Sequence, residues 1–196
     1  MNADGLIEAL AARRGHFQLE SGHHGELWLD LDGLFAAPAR LAPFFAELAE
    51  QLAGRGADVV CGPLVGGAFV AQAVAERLGI EASWTERVAA PSGAGLYTAR
   101  YRVPEPLRDR LRGRSVAIVD DVVNAGSATR ATIADLRVCG ARPVALGALL
   151  VLGEGAARLA REEGLALASV AVLPNAIWAP ADCPLCAAGV ALEELG

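Results

Sequence analysis

From residue 57 onward the chain alternates short apolar runs with longer stretches of helical spacing. ADVVC (57–61), IEASWTE (80–86), SVAIVD (115–120), PVALGALLVL (143–152) and LALASVAVL (165–173) read as strands. Between them AFVAQAVAERL (68–78), residues 127–138 and AARLAREE (156–163) read as helices, with Gly79 and Gly140 placed as C-terminal caps. Parallel strands need long crossovers of this kind, and those crossovers cover both faces of the sheet. The expected fold class is α/β: a mostly parallel twisted sheet with helices on both faces, plus a small N-terminal hairpin or hood region.

The region before residue 57 is written differently. Residues 3–14 predict a helix, with Leu6, Ile7 and Leu10 on one face and Gly15 as its cap. HFQLESGHHGELWLDLDGLF (16–35) alternates apolar and polar residues around a Ser-Gly turn, which predicts an antiparallel hairpin. Residues 38–53 predict a second helix, opened by Pro38 and closed by Gly54. LYTARYRV (96–103) is another alternating stretch. No linker interrupts the chain, so 1–196 is read as one domain: helix and hairpin (1–37), α/β core (38–173) and tail (174–196).

With 54% hydrophobic residues the chain can bury a real core. No apolar run approaches the roughly 20 residues of a membrane span, and the first residues do not resemble a secretory signal; the expected setting is the cytoplasm. A net charge of −6 argues against nucleic acid as the main partner. All 17 basic residues are arginine.

Open parallel sheets hold ligands outside the carboxyl ends of their strands, where two glycine-rich turns fall. The first is Gly62-Pro63-Leu64-Val65-Gly66-Gly67, which reads equally as a tight connection and as a loop whose N–H groups face an anion. The second lies in VAIVDDVVNAGSATR (116–130). Asp120 and Asp121 are adjacent acids at the end of an apolar strand, costly to bury unless donors or cations answer them. Asn124, Ala125, Gly126, Ser127, Ala128 and Thr129 then lead into a helix N-terminus, where main-chain N–H groups lack partners and the dipole favours negative charge. The GK[ST] of a Walker loop is missing. An acid pair able to accept from vicinal hydroxyls, beside a backbone cradle for phosphate, describes a ribose 5-phosphate site.

IVDDVVNAGSAT (118–129) resembles the phosphoribosyl-pyrophosphate motif of the type I phosphoribosyltransferases, and GPLVGG matches their pyrophosphate loop in position and character. Two features resemble the orotate members: Arg130 directly after the phosphate loop, and FQLESGHHGELWLDLDGLF (17–35) near the start. The likeness spans most of residues 6–172. It implies that Asp120 and Asp121 hold the ribose hydroxyls, residues 124–129 the 5-phosphate and residues 62–67 the pyrophosphate. It further implies that Arg130 meets the carboxylate of an acidic base and that Mg²⁺ binds through substrate oxygens. The substrates would be phosphoribosyl pyrophosphate and a nucleobase, in a homodimer.

The chain departs from that pattern in 85–104, which contains neither lysine nor histidine. Arg87, at the strand end on the ligand side, is then the expected catalytic cation, while Arg100 and Arg102 read as the exposed face of a strand. Residues 88–95 have the composition of a lid, and the sequence leaves open whether they act as one. Two alternatives stay open: a binding protein that kept the ligand loops, and a transferase for another base such as a purine. His23 and His24 read as an exposed hairpin turn, and Cys61 and Cys139 as buried small hydrophobes. Cys183 and Cys186 form half of a zinc site, whose other ligands would have to come from a histidine or a second subunit. A plain structural turn is the simpler reading of that Cys-x-x-Cys.

Overall fold

The computed structural model describes residues 3–19, 22–88 and 100–194. Its centre is a six-stranded sheet built from β3 (Val59–Pro63), β4 (Glu81–Val88), β5 (Arg100–Arg102), β6 (Ser115–Val123), β7 (Arg142–Leu152) and β8 (Ala166–Leu173). The order is β5-β4-β3-β6-β7-β8, parallel throughout except where β5 returns antiparallel to β4.

Helices α1 (Ala3–Ala9), α3 (Pro38–Leu52) and α4 (Gly66–Leu78) pack on one face, while α5 (Glu105–Leu111), α6 (Ser127–Val138) and α7 (Gly155–Glu163) pack on the other. β6 records this double covering residue by residue. Ala117 and Val119 belong to the core under α3 and α4, whereas Val116 and Ile118 belong to the core under α6 and α7. A strand buried on both sides needs a continuous apolar run, which is what its sequence supplies.

A second sheet of four short strands has the order β10-β1-β2-β9. β1 (Arg13–Gln18) and β2 (His24–Trp28) form the first hairpin, which is flanked by β9 (Ile177–Trp178) and β10 (Glu193–Glu194) from the tail. β9 starts four residues after β8 ends at Leu173, so this sheet hangs at the carboxyl end of the large one.

The first helix is shorter than its spacing predicts: α1 stops at Ala9, Ala11 turns with φ 44°, and Arg13 already pairs with Trp28. Strand pairing overrides local helical preference there, and Gly15 lies inside β1 rather than at a helix end. The hairpin also ends earlier than expected, because Leu31–Phe35 is a short helix, α2, capped by Asp30. Of the stretch 96–103, residues 100–102 form β5; 96–99, like the lid candidate 89–95 and the Ser21 of the turn, lie outside the described residues. A 3₁₀ turn (Pro180–Asp182) and α8 (Pro184–Ala187) complete the tail. Among the described residues no helix is long and apolar enough to cross a membrane.

Candidate active site at the switch point of the sheet

β3 and β6 are neighbours, with Cys61 opposite Ile118, yet the chain leaves them in opposite directions. After β3 it builds outward through β4 and β5; after β6 it builds outward through β7 and β8. Connections that diverge in this way open a crevice at the carboxyl edge, the usual ligand position in open parallel sheets. The two glycine-rich turns of the sequence flank that crevice.

The acid pair ends β6. Asp120 is 7% exposed, and its Oδ1 accepts from the Asp121 N–H at 3.1 Å. The Thr129 hydroxyl also donates to it from the first turn of α6. The Asp121 Oδ1 accepts from the Val122 N–H at 2.8 Å. Burial, and after it the neighbouring Asp121 charge, holds the Asp120 carboxyl well above the usual carboxylate range; burial raises Asp121 as well. Two acids in this state favour a partner bringing hydroxyl donors or positive charge.

GPLVGG folds directly against these acids. A Cβ on Gly66 would collide with the Asp121 carboxylate, and one on Gly67 would stand 2.7 Å from Asp120 Oδ1 and 2.6 Å from Pro63 Cδ. The glycines are therefore required by close approach, which the sequence left undecided. The loop is tied to β4 by the Leu64 N–H, which donates to the Thr85 carbonyl at 2.8 Å. Its Leu64–Val65 peptide is cis.

On the other side Gly126 turns with φ 79° as the N-cap of α6 and offers no side-chain acceptor to the first turn. The first intrahelical bond there runs from the Arg130 N–H to the Gly126 carbonyl at 2.8 Å. The N–H groups of Ser127, Ala128 and Thr129 precede it and form the uncapped positive end of a twelve-residue helix. Asn124, Ala125, Ser127 and Ala128 are half-buried around them. Thr85 and Thr132, both fully buried, share a 2.8 Å hydrogen bond that pins α6 to β4.

The arginines are distributed less simply. Arg87 sits on β4 two residues beyond Thr85, exposed, with Tyr101 opposite it. Arg100 and Arg102 are exposed on β5, as expected, but they share a cavity of about 420 Å³ with Ser127 and Arg130. The Arg130 guanidinium does not reach the acid pair. It donates to Glu162 on α7 at 2.7 Å and lies 3.8 Å from Glu163.

Two expectations fail at the tail. His24 is not part of an exposed turn but 6% exposed within β2, and His16, which the sequence reading passed over, is 2% exposed in β1. His16 meets both Cys183 and Cys186, and His24 meets Cys186, so the Cys-x-x-Cys is not a plain structural turn. Cys61 and Cys139 are buried as expected, and burial pushes the Cys61 thiol up to about 12, far from reactivity.

An acid pair set against an anion-ready helix end, at the switch point of a parallel sheet, defines the class: a protein built to hold a phosphorylated sugar. Residues 32–185 match the phosphoribosyl transferase domain, and the chain belongs to that family. It is 33% identical to the orotate phosphoribosyltransferase of Pelotomaculum thermopropionicum over 184 residues, covering 93% of this chain and 88% of that one. It is similar to the crystal structure of orotate phosphoribosyltransferase from Aeropyrum pernix, with a TM-score of 0.69 and 26% identity, over 88% of this chain and 94% of that one. An adenine phosphoribosyltransferase from Thermoanaerobacter pseudethanolicus shares the fold at 19% identity and a TM-score of 0.61, covering 75% of this chain and 88% of that one.

Proposed function

We propose that this phosphoribosyltransferase acts on orotate, moving ribose 5-phosphate from phosphoribosyl pyrophosphate to a ring nitrogen of the base. The bond from the ribose C1 to a pyrophosphate oxygen breaks, the oxygen keeps the electron pair, and C1 bonds to the nitrogen, whose proton passes to solvent. The observation that carries the reading is the packing of Gly66 and Gly67 against Asp121 and Asp120, which puts both loops around one crevice. The kinship with orotate enzymes supplies the base.

In this reading the buried Asp120 and half-buried Asp121 accept from the ribose 2- and 3-hydroxyls, which offsets the desolvation of their carboxyls. The first-turn N–H groups of α6, with Ser127 and Thr129, hold the 5-phosphate, and the backbone of residues 62–67 holds the pyrophosphate. Mg²⁺ fits here as a hard cation bound mostly through substrate oxygens beside two carboxylates, and when bound it would neutralise charge growing on the departing pyrophosphate. The arginines take the place of lysine: Arg87 at the end of β4, and Arg100 and Arg102 in the cavity beside Ser127, give positive potential next to the anion loops. Arg130 would recognise the base carboxylate by exchanging Glu162 and Glu163 for it. Exposed ion pairs contribute only about 0–1 kcal/mol, so the exchange costs little. A homodimer in the cytoplasm is the assembly that goes with this activity.

Purified protein with phosphoribosyl pyrophosphate and Mg²⁺, offered a panel of bases, tests the reading through pyrophosphate release. Turnover with orotate is expected. Release with adenine or hypoxanthine but not orotate would transfer the assignment to another base, and binding without turnover on any base would make the protein a sensor.

A further inference from the structure

The small sheet contains a cluster that the transferase reaction does not use. His16 on β1, His24 on β2, and Cys183 and Cys186 flanking the start of α8 each turn one donor atom inward, and all four atoms lie within 4.8 Å of one another. His16 Nε2 stands 3.1 Å from His24 Nδ1, 3.4 Å from Cys183 Sγ and 3.7 Å from Cys186 Sγ. His24 Nδ1 is also 3.3 Å from Cys186 Sγ. Three of the four residues are buried.

Hydrogen bonding does not account for this convergence. His16 Nδ1 lies 2.9 Å from the Val190 carbonyl, which can only accept, so Nδ1 carries the proton. In the neutral ring Nε2 is left with a single lone pair, yet three donor atoms crowd around it. A cation at the centre satisfies all four at once. With zinc bonds of about 2.0–2.1 Å to nitrogen and 2.3 Å to sulfur, a tetrahedral site has ligand–ligand edges of about 3.3–3.8 Å. Four of the six separations, 3.1–3.7 Å, fall close to that range, and the other two lie within 4.8 Å. The Val190 contact is also the outer-shell partner that metal-bound histidines usually have, fixing the tautomer that leaves Nε2 free.

We propose that His16 Nε2, His24 Nδ1, Cys183 Sγ and Cys186 Sγ form a tetrahedral zinc site that clamps the tail onto the first hairpin. Binding one Zn²⁺ releases the two thiol protons to solvent and leaves two thiolates and two neutral imidazoles around the dication, a site with no net charge to bury. The local backbone prepares it. His16 and Gln18 share a face of β1, Gln18 pairs with His24, and the register shift between Arg14 and Phe17 is a bulge that re-aims His16 towards the tail. The clamp also explains how tail strands of two residues each, β9 and β10, stay paired to the hairpin, since pairing so short is marginal by itself.

The test is metal content of the purified full-length chain, independent of transferase activity. After incubation with zinc and gel filtration, the wild-type chain is expected to retain about one equivalent. Cobalt(II) in its place is expected to give a thiolate charge-transfer band and the strong visible bands of a tetrahedral site. Cys183→Ser with Cys186→Ser should lower retained metal at least tenfold, and His24→Gln, which keeps three ligands and the fold, should weaken affinity at least tenfold. Cys139→Ala should retain metal as the wild type does. Retention below a tenth of an equivalent by the wild type would overturn the proposal. So would a cobalt spectrum without the thiolate band, a Cys183–Cys186 disulfide in protein purified under reducing conditions, or unaltered binding by the substituted chains.

Discussion

The two sheets of this protein hold together by different means. In the large one, β6 and β7 run nine and eleven residues and are sealed between two helical layers, so burial of apolar surface carries the structure. In the small one, the strands that close the sheet are two residues long, and what joins hairpin to tail is a knot of polar side chains. The acid pair and both glycine-rich turns sit on the large sheet, at the switch point. The small sheet is the part whose integrity depends on a few specific contacts, and elements of that kind are the ones that open locally at low cost.

The sharpest way to break the contrast is from the core. Leu149→Ala empties a fully buried position in β7 and should cost about 2–5 kcal/mol in urea unfolding, with every probe shifting together. A shift confined to probes in the small sheet would show that the two sheets do not unfold as supposed.

Next in size is the acid pair. Asp120→Asn with Asp121→Asn should weaken phosphoribosyl pyrophosphate binding by about a hundredfold, or about 2.7 kcal/mol, measured by calorimetry. The fold should survive. Both carboxyls have folded values raised above the unfolded reference of about 3.9. The folded state therefore binds more protons, and wild-type stability falls as the pH rises from about 4 through the raised values. The double variant lacks that slope, so the two stability curves should diverge with rising pH; parallel curves would contradict the burial argument.

Gly67→Ala is a smaller intrusion. Its methyl would stand 2.7 Å from Asp120 Oδ1 and 2.6 Å from the rigid Pro63 ring, so turnover should fall about tenfold and stability should drop by about 1–3 kcal/mol. Smallest is Arg130→Ala, expected to raise the KM for orotate several-fold while the KM for phosphoribosyl pyrophosphate stays within twofold. An unchanged KM for orotate would confine Arg130 to its bridge between α6 and α7.

What the sequence disclosed follows the same division. The helix expected at 127–138 is α6 to the residue, and the acids and both loops were legible because a buried strand, a glycine turn and a helix N-terminus are local patterns. Of the four-residue cluster only the Cys-x-x-Cys half was legible. His16 and Cys183 are 167 positions apart, β9 and β10 are too short to show a period, and paired histidines near a turn look like solvent-facing residues until the tail folds over them. The first helix was overestimated for a related reason: the partner that claims Arg13 for a strand is Trp28, beyond the window that helical spacing covers. Arg130 shows the limit from another side, since its position after the loop was readable but Glu162 as its partner was not.

The pairing of β1 with β10, Phe17 beside Glu193, has a consequence for assembly in time. Closing that contact encloses nearly the whole polypeptide, and loops of such length are the slowest to form and the most dependent on everything inside them being in place. During synthesis the hairpin is made early and waits for a strand made near the end, while the large sheet between them can already pack. The small sheet is then the last piece to settle, and the crevice between β3 and β6 is shaped before that sheet closes.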